Sequence, residues 1–363
     1  MIKKVWLKGV RNLKETTVSL ESHKHCYIFG SNNHGKTSIL EGIYLAIHRS
    51  SPIQEEIETV IQYNQSSCII GIDFEQDDQR NRLYASFNQE GKKEQWLNQK
   101  KVRRNPIKNY TADYISADIL HLFQKDPYFR RRYLDTFCGD YFEGYIRVLK
   151  NYEKQLRQRN KYLKHENCDH HMITIFNAEL VRWGGQIVRY RKRGVALLEE
   201  SLKKDVQILN FYANEVVGIV YDTHRIDGDD DAYEERFAEM LDRDIEKEKI
   251  VGYTLSGPHR DDYRVLINEK NCYDHFSRGI NRGIAILIKK AQCELSAQKK
   301  KGIIYLLDDV FAEIDRDNTK NLLTHLGETG QVFYATTEKE HHPFFENKKI
   351  YKITHGELMH EPL

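Results

Sequence analysis

The order of apolar and polar residues near the start of the chain predicts a strand, a tight loop and a helix. Residues 25–29 form a short apolar run typical of a buried strand. After a stretch rich in glycine and asparagine, apolar residues recur at helical spacing over residues 38–49, which predicts one buried helix face. Three later segments predict strands of an antiparallel sheet: residues 68–74, 83–87 and 94–97. The last of these precedes a predicted turn at Asn98 and Gln99.

The middle of the chain changes to a helical period. Apolar residues recur about every 3.5 positions over residues 145–163 and again over residues 176–197, with Arg159 interrupting the first set. This pattern predicts an antiparallel pair of helices, too short to form long coiled-coil arms. The adjacent Gly184 and Gly185 are expected to weaken the second helix by about 1 kcal/mol each relative to alanine.

Strand-like sequence returns in the last third of the chain. Residues 250–255 and 263–267 have the composition of strands, and they follow an acidic, loop-like stretch at residues 227–231. A chain of 363 residues exceeds the usual size of one hydrophobic core. We therefore predict an α/β fold in which one domain is built from residues 1–120 and 246–363, with a helical domain of residues 121–245 inserted between them.

A glycine-rich loop between the first predicted strand and helix matches the pattern of a phosphate-binding loop. Its eight residues are Gly30, Ser31, Asn32, Asn33, His34, Gly35, Lys36 and Thr37. Glycines leave backbone N–H groups open to a phosphate chain, and the dipole of the following helix favours anions. We expect Lys36 to reach the β- and γ-phosphates of ATP and the Thr37 hydroxyl to complete a Mg²⁺ shell. The alternative, a chance glycine turn, is disfavoured by this strand-loop-helix context.

A second acidic site is predicted where the apolar run of residues 302–307 ends in Asp308 and Asp309. A buried parallel strand delivers such charges at its C-terminal edge, as in a Walker B motif. Asp308 is expected to hold Mg²⁺ through water, and Asp309 stands where most ABC ATPases carry a glutamate as general base. Taken alone, the two aspartates fit a surface turn about equally well.

Two further segments match features of the ABC dimer interface. Ser277 and Gly279 precede a predicted helix, in the place of the signature segment that faces the nucleotide of the other subunit. Asp315 stands at the D-loop position, and Thr336 or Thr337 ends a predicted strand at the position of a switch residue. Taken alone, Ser277 is also explained as a helix cap, and the threonines as an ordinary strand end.

Composition excludes several classes of protein. Hydrophobic residues make up 40% of the chain and charged residues 30%, which is typical of a soluble globular protein. No run approaches the length of a membrane span, and the N-terminus has no secretory signal, so a cytoplasmic location without a membrane partner is expected. The six cysteines show no CxxC pairing and predict neither a zinc site nor a disulfide framework.

Basic residues cluster locally although the net charge is only +2. One cluster suited to DNA phosphates lies around the predicted turn: Lys92, Lys93, Lys100, Lys101, Arg103 and Arg104, of which the last four are the predicted DNA contacts. A second cluster occupies residues 130–132. The first cluster is also explained by a solvated, charged hairpin, and the second by arginines at an interface. Few aromatic residues interleave these runs, so base stacking is not predicted from the sequence.

Eight stretches together resemble the RecF family more than a generic ABC ATPase. They are RNL at 11–13, GKTSILEGIY at 35–44, FRRRYLD at 129–135, QLRQRNKYLK at 155–164, GYTLSGPHRDD at 252–262, SRG at 277–279, LLDDVFAEID at 306–315 and GQVF at 330–333. These stretches span the chain from end to end. The combination of GPHRDD with an acidic strand of the LLDD type is specific, and it disfavours a transporter cassette.

The resemblance implies an ABC-type P-loop ATPase head, called lobe I, with an inserted α-helical lobe II. It implies dimerisation on ATP and Mg²⁺, binding to gapped or single-strand/double-strand junction DNA, and slow ATP hydrolysis stimulated by DNA. It further implies partners of the RecO and RecR type that load recombinase in DNA repair, recombination, replication and the SOS response to DNA damage.

Three positions depart from the family pattern. Ile280 stands where glutamine usually follows the signature glycine, Val10 stands where phenylalanine usually precedes RN, and Ala117 replaces a usual proline. The missing amide at Ile280 and the short side chain of Asp309 favour an alternative function. In that alternative the chain is a non-hydrolysing structural or adaptor protein that uses ATP only to hold a dimer together.

Overall fold

The computed structural model describes the chain except for residues 55, 103–106, 108–109, 124–125, 166–168, 211–214, 227–231, 298–301, 338–346 and 362–363. The chain divides into two compact units. Unit 1 comprises residues 1–119, 208–213 and 278–363, and unit 2 comprises residues 120–207 and 214–277. The sequence placed residues 246–277 in the head, whereas this division assigns them to unit 2. Within the described residues, no helix has the length and apolarity needed to cross a membrane.

Strands of the described residues form three sheets. They are β1 Ile2–Lys8, β2 Thr16–Ser19, β3 His25–Phe29, β4 Ser67–Gln76, β5 Gln79–Asn88, β6 Lys93–Leu97, β7 Lys100–Lys101, β8 Tyr110–Ser116, β9 Val217–Asp222, β10 Asp262–Ile267, β11 Lys270–Asn271, β12 Gly302–Asp308, β13 Gly330–Thr336, β14 Lys348–Thr354 and β15 Glu357–His360. The helices are α1 Lys36–His48, α2 Pro127–Tyr141, α3 Tyr145–Tyr162, α4 His170–Asp205, α5 Tyr233–Arg243, α6 Ile245–Val251, α7 Cys272–His275, α8 Arg278–Ser296 and α9 Arg316–Thr329.

Unit 1 contains a mostly parallel sheet in the order β15-β14-β3-β13-β12-β8. Every residue of β3 and of β13 is buried, as expected for central parallel strands covered on both faces. The strand predicted at residues 25–29 is therefore confirmed as β3. The two strands that flank β3, β13 and β14, both come from the last tenth of the chain, so the phosphate-loop strand depends on C-terminal residues for its sheet neighbours.

A second sheet of unit 1 has the order β2-β1-β4-β5-β6-β7, and its ladder pairs are antiparallel. Buried and partly exposed residues alternate along β4, so one face of this sheet joins the core. Helix α1 packs against strands of both sheets, and its apolar face lies in one core cluster with them. The predicted strands, the predicted helix and the turn at Asn98 and Gln99 are confirmed, and both turn residues have positive φ.

Unit 2 is helical, with a three-stranded antiparallel sheet in the order β11-β10-β9. The two predicted helices are confirmed as α3 and α4, which pack against each other, and α4 runs unbroken through Gly184 and Gly185. The strand predicted at residues 250–255 is wrong. Helix α6 ends at Val251, and Gly252 follows it with φ of 75°. The strand at 263–267 exists as β10, but it belongs to the sheet of unit 2.

Arg159 explains the interruption in the first helical repeat. Its side chain is fully buried, and its Nη1 lies 2.6 Å from a carboxylate oxygen of Glu248. The guanidinium also donates to Asn177 Oδ1 at 2.9 Å and to Thr254 Oγ1 at 2.8 Å. A buried charge requires such partners, so the polar residue in the apolar seam serves as the centre of a hydrogen-bonded network.

Candidate functional site

The loop of residues 30–37 connects β3 to α1 and fits closely against neighbouring backbone. A Cβ at Gly30 would lie 2.3 Å from the carbonyl oxygen of Ile353, so a larger residue would displace β14. Gly35, which precedes α1, has φ of 107° and would bring a Cβ within 2.6 Å of Leu13. Both glycines of the pattern are therefore required by the close fit and the backbone conformation of the loop.

Contacts from other segments hold the rest of the loop. The amide of Asn12 donates to the carbonyl of Asn33 at 2.7 Å, and the backbone N–H of Gly356 donates to the carbonyl of His34 at 3.0 Å. Asn33 has positive φ, while Ser31 and Asn32 are exposed. The role of Asn12 was not predicted, although the RNL stretch that contains it was one of the signals of the family resemblance.

Lys36 begins α1, and its ammonium turns back over the loop. Nζ donates to the carbonyl oxygens of Gly30 at 2.8 Å and Ser31 at 2.9 Å, and only 6% of the residue is exposed. Burial lowers the pKa of Lys36, while the nearby charges of Asp309 and Asp308 oppose that shift. The cation is thus partly desolvated, and its hydrogen bonds within the described residues go to carbonyl oxygens, which leaves its charge available to an entering phosphate.

Asp308 ends β12 and lies against the start of α1. Its Oδ2 accepts a hydrogen bond from Thr37 Oγ1 at 2.8 Å and another from the Tyr114 hydroxyl at 2.6 Å. Burial raises the pKa of Asp308, and these two hydrogen bonds oppose the rise. A hydroxyl and a carboxylate that meet in this way fit Mg²⁺, which prefers oxygen ligands and would supply positive charge beside a bound phosphate chain.

Tyr114 is a site residue that the sequence analysis missed. It lies on β8, which pairs in parallel with β12, so its ring comes from the strand next to the acidic one. The nearby carboxylate of Asp308 and burial both raise the pKa of the phenol, which therefore stays protonated and donates. No spacing rule connects residues 114 and 308, and only the strand order brings them together.

Asp309 follows β12 with positive φ, and its backbone N–H donates to the carbonyl of Ala335 at 2.8 Å. The Thr336 hydroxyl donates to Asp309 Oδ1 at 3.2 Å. Thr336 is buried, whereas Thr337 is exposed. Of the two threonines considered for the switch position, the structure brings Thr336 into contact with the acidic pair.

The residues predicted to lie at a dimer interface form a second group. Gly279 lies in the first turn of α8, and a Cβ there would lie 2.3 Å from the carbonyl oxygen of Glu313. The helix start therefore packs directly against the backbone of the segment that leads to Asp315. Asp315 caps α9, since its side chain accepts from the N–H of Asn318 at 2.9 Å. Ser277 is exposed and immediately precedes α8.

The predicted basic clusters have different surroundings. Lys100 and Lys101 form β7 and are exposed, and Lys101 contacts Glu94 at 2.5 Å. Arg103 and Arg104 lie outside the described residues. In the cluster at residues 130–132, Arg130 binds both carboxylate oxygens of Asp262 at 2.7 and 2.5 Å, so its charge is neutralised inside unit 2.

The GPHRDD stretch forms a buried network within unit 2. Arg191 binds both oxygens of Asp135 at 2.8 and 2.9 Å and donates to the carbonyl of Pro258 at 2.6 Å. The carboxylate of Asp261 accepts from the Tyr221 hydroxyl at 2.7 Å. The Tyr152 hydroxyl lies 2.7 Å from Nδ1 of His259, whose pKa is lowered to about 4 by burial, so this imidazole is neutral. FRRRYLD and GPHRDD therefore stabilise unit 2 together.

Comparisons with known proteins agree on one family. Residues 1–360 match the model described as the RecF/RecN/SMC N terminal domain. A DNA replication and repair protein RecF of Streptococcus suis (strain 05ZYH33) is 29% identical, with 98% of each chain covered. A protein of the same name from Geobacillus thermodenitrificans (strain NG80-2) is 28% identical, with 97% of each chain covered.

Solved structures give the same fold. The structure described as the recombination mediator protein RecF-ATP in the RecFOR pathway aligns with a TM-score of 0.79 at 23% identity, covering 99% of this chain and 97% of that one. An SmcHead bound to the C-winged helix domain of ScpA aligns with a TM-score of 0.56 at 13% identity, covering 100% and 98%. The predicted fold class, an α/β ABC-type ATPase head, is confirmed. With its family model matched over residues 1–360, the chain belongs to the RecF/RecN/SMC N-terminal domain family.

Proposed function

We propose that the protein is an ATP-dependent DNA-binding protein of the RecF type that acts in the cytoplasm in recombinational DNA repair and replication restart. The observation that carries the proposal is the hydrogen bond between Thr37 and Asp308, whose positions are separated by 271 residues in the chain. It joins the phosphate-binding loop to the acidic strand at one Mg²⁺-compatible point. The names of the relatives, RecF, support the assignment to DNA replication and repair.

Each residue of the site has a chemical role in this proposal. The backbone of residues 30–35 and the Lys36 ammonium bind the phosphate chain of ATP, and Thr37 and Asp308 hold Mg²⁺, which supplies charge neutralisation when bound. Asp309 orients the attacking water and accepts its proton. The hydroxyl of Thr336 fixes one oxygen of Asp309, so a change at the nucleotide can be transmitted to β13.

The proposed dimer places two copies of the chain around the nucleotide. Ser277 and Gly279 of one copy face the γ-phosphate held by the other, and Asp315 lies at the same interface. Bound ATP then closes a clamp on gapped or single-strand/double-strand junction DNA, and slow hydrolysis reopens it. Partners of the RecO and RecR type use this closed form to load recombinase.

Light scattering tests the clamp directly. The wild-type protein is measured with ATP, with ADP and without nucleotide, and the Ser277→Arg variant is measured with ATP. We expect a monomer with ADP, a dimer with ATP, and a monomer for Ser277→Arg with ATP because the arginine side chain blocks the interface. A wild-type monomer in the presence of ATP rules out the clamp.

The second candidate function, a non-hydrolysing adaptor, is favoured by the short side chain of Asp309 and by Ile280. Steady-state phosphate release with and without gapped DNA separates the two functions, with Lys36→Ala as the control. A wild-type rate above this control, increased by DNA, supports the clamp. A rate equal to the control, with dimerisation retained, supports the adaptor.

A further inference from the structure

The outer face of the antiparallel sheet carries a row of aromatic side chains. Strand register places Trp6 opposite Gly71, Gly71 opposite Tyr84, and Tyr84 opposite Trp96. Residues in one register row project from the same face of a sheet. The flanking positions of these strands are buried in the core, so the aromatic row faces away from it. All three aromatic residues remain partly exposed.

The row is continuous because its second member has no side chain. A Cβ at Gly71 would lie 3.4 Å from Cε3 of Trp6, so the indole lies over the glycine. On the other side, the rings of Tyr84 and Trp96 are 5.4 Å apart and inclined by 63°. Tyr84 and Trp96 also line a groove of about 1280 Å³ on this face. The groove is therefore lined by the rings of Tyr84 and Trp96, and Trp6 belongs to the same register row of the sheet.

The charges around the groove favour an anionic ligand. The acidic side chains on this face and in the groove are held in ion pairs: Asp73 with Arg82, Glu75 with Lys3, Glu21 with Lys349, Glu94 with Lys101 and Glu15 with Lys8. Lys4 and Arg80 line the same groove, and neither forms a direct ion pair among the described residues, although Arg80 lies opposite Glu75 in the strand register and its charge acts on that carboxylate. After these pairings, the excess charge of the groove is positive.

We infer that this face binds single-stranded DNA through stacking of bases on Trp6, Tyr84 and Trp96, with phosphates near Lys4 and Arg80. The inference rests on the proposed function and assigns its single-stranded contact to a defined surface. Aromatic rings combined with unpaired cations match both parts of a nucleotide, the base and the phosphate, and stacking requires no particular sequence. Sequence reasoning predicted no base stacking, because these aromatic residues are brought together only by the strand register.

Intrinsic fluorescence tests the stacking, because the chain has three tryptophans and the third, Trp183, lies on α4 of unit 2. The Trp183→Phe variant keeps Trp6 and Trp96 as its emitters, whereas Trp6→Phe combined with Trp96→Phe keeps only Trp183. Oligothymidylate of about 16 nucleotides is added to each variant. We expect quenching in the first variant and none in the second. Binding of the oligonucleotide without quenching in the first variant overturns the inference.

Affinity measurements separate ring stacking from other effects. Tyr84→Ala is expected to weaken oligothymidylate binding about 5- to 150-fold, the range for loss of one stacked base, while Tyr84→Phe retains wild-type affinity. Circular dichroism checks that both variants are folded. If wild type and Tyr84→Ala bind oligothymidylate with equal affinity, the inference of a stacking surface is overturned. Binding of an acidic peptide without binding of any oligonucleotide overturns it as well.

Binding of gapped DNA in the presence of ATP, measured for wild type and Tyr84→Ala, distinguishes this inference from the proposed function. If Tyr84→Ala and wild type bind gapped DNA equally well in the presence of ATP, the aromatic surface is refuted while the ATP-dependent clamp remains. If wild type binds no DNA of any form with ATP, the proposed function itself fails. If Tyr84→Ala loses oligothymidylate binding but still binds blunt duplex DNA, the result supports both the aromatic surface and the proposed function.

Discussion

Two buried groups of charge in this protein are organised in opposite ways. In unit 2, Arg191 is only 3% exposed at its side chain and binds both oxygens of Asp135. In unit 1, Lys36 is buried and Asp308 is half-buried. Among the described residues, the ammonium hydrogen-bonds to carbonyls and the carboxylate accepts from hydroxyls. The first group neutralises its charges in a direct ion pair, whereas in the second group the charges of Lys36 and Asp308 act on each other without a direct contact between the two side chains.

The pKa shifts reflect the same difference. Burial alone would lower the pKa of Arg191, but the adjacent carboxylate of Asp135 raises it well above the ordinary value. At the candidate site of unit 1 burial prevails, since it lowers the pKa of Lys36 and raises the pKa of Asp308. Charges that are paired within the chain stabilise the fold, whereas charges left unpaired in a buried site favour a ligand of opposite charge.

The largest expected effect is on the paired group. Arg191→Met removes the counter-charge of the Asp135 carboxylate, which keeps only the Tyr145 hydroxyl as a side-chain donor among the described residues, and it removes the donor to the Pro258 carbonyl. The free energy of unfolding should therefore fall by about 3–5 kcal/mol. Urea denaturation followed by Trp183 fluorescence, which reports on unit 2, measures the loss. The matched control is Arg264→Met, because Arg264 forms an exposed bidentate pair with Asp222 and should cost less than about 1 kcal/mol. If Arg191→Met and Arg264→Met lose equal free energy of unfolding, the buried pair of Arg191 with Asp135 stabilises unit 2 no more than an exposed pair does.

At the unpaired group the expected loss is in binding. Lys36→Met should weaken ATP binding about 10- to 150-fold, the range for hydrogen bonds to a charged group, because the phosphates lose their cation. The stability of the nucleotide-free protein should fall by no more than about 1–2 kcal/mol, because only the carbonyls of Gly30 and Ser31 lose a direct hydrogen-bond donor and no carboxylate loses a direct ion pair. Calorimetric titration with ATP and thermal unfolding without it measure the two quantities, and Lys270→Met on β11 serves as the surface control. A large loss of stability in Lys36→Met would show that the loop is a structural element.

A smaller effect of opposite sign is expected at Asp308. Its raised native pKa means that the folded protein binds this proton more tightly than the unfolded chain does. The ionised carboxylate therefore costs stability in full above the raised native pKa, and this cost shrinks as pH falls from that value and is gone below the ordinary carboxyl pKa. Asp308→Asn should stabilise the nucleotide-free protein by about 0.5–2 kcal/mol at pH 7, with a smaller gain at pH 5.

Thermal unfolding at several pH values measures this difference, and Asp135→Asn is the matched variant in unit 2. Asp135→Asn should lower stability at neutral pH, because Arg191 then loses its counter-ion. If both asparagine variants change stability in the same direction, the two groups do not differ as described.

The smallest effect concerns the cap of α9. Asp315→Ser retains an acceptor for the Asn318 N–H, so stability should change by only a few tenths of a kcal/mol, whereas Asp315→Ala should cost about 1 kcal/mol. Light scattering with ATP then examines the second proposed role of this residue. Loss of the ATP-dependent dimer in stable Asp315→Ser supports the D-loop role, and an intact dimer shows that Asp315 acts only as a cap.

The elements that the sequence predicted well are those with a local signal. The apolar run of β3, the helical period of α1 and the apolar strand before Asp308 each depend on neighbouring residues. The strand predicted at 250–255 failed because a short amphipathic helix and a short strand look alike over six residues. The glycine at position 252, a common helix end, was the signal that favoured the helix.

The candidate site was predictable only in part, because some of its residues have no local sequence signal. Its loop and its acidic strand have recognisable patterns, but Tyr114 and Asn12 join the site through strand order and loop packing over long separations. The aromatic row has the same origin, since Trp6 and Tyr84 belong to strands that pair with β4 from opposite sides. Such contacts depend on which strands become neighbours, and a single sequence does not specify this order.

The position of β3 between β13 and β14 has a consequence for synthesis on the ribosome. The phosphate-loop strand is made within the first 29 residues, but its two neighbours are completed only at residues 336 and 354. An interrupted chain therefore exposes an apolar strand with both edges unpaired, a species prone to aggregate. The proposed nucleotide site is therefore completed only when translation has reached the final segment of the chain, and slow formation of these long-range pairs should limit the rate of folding.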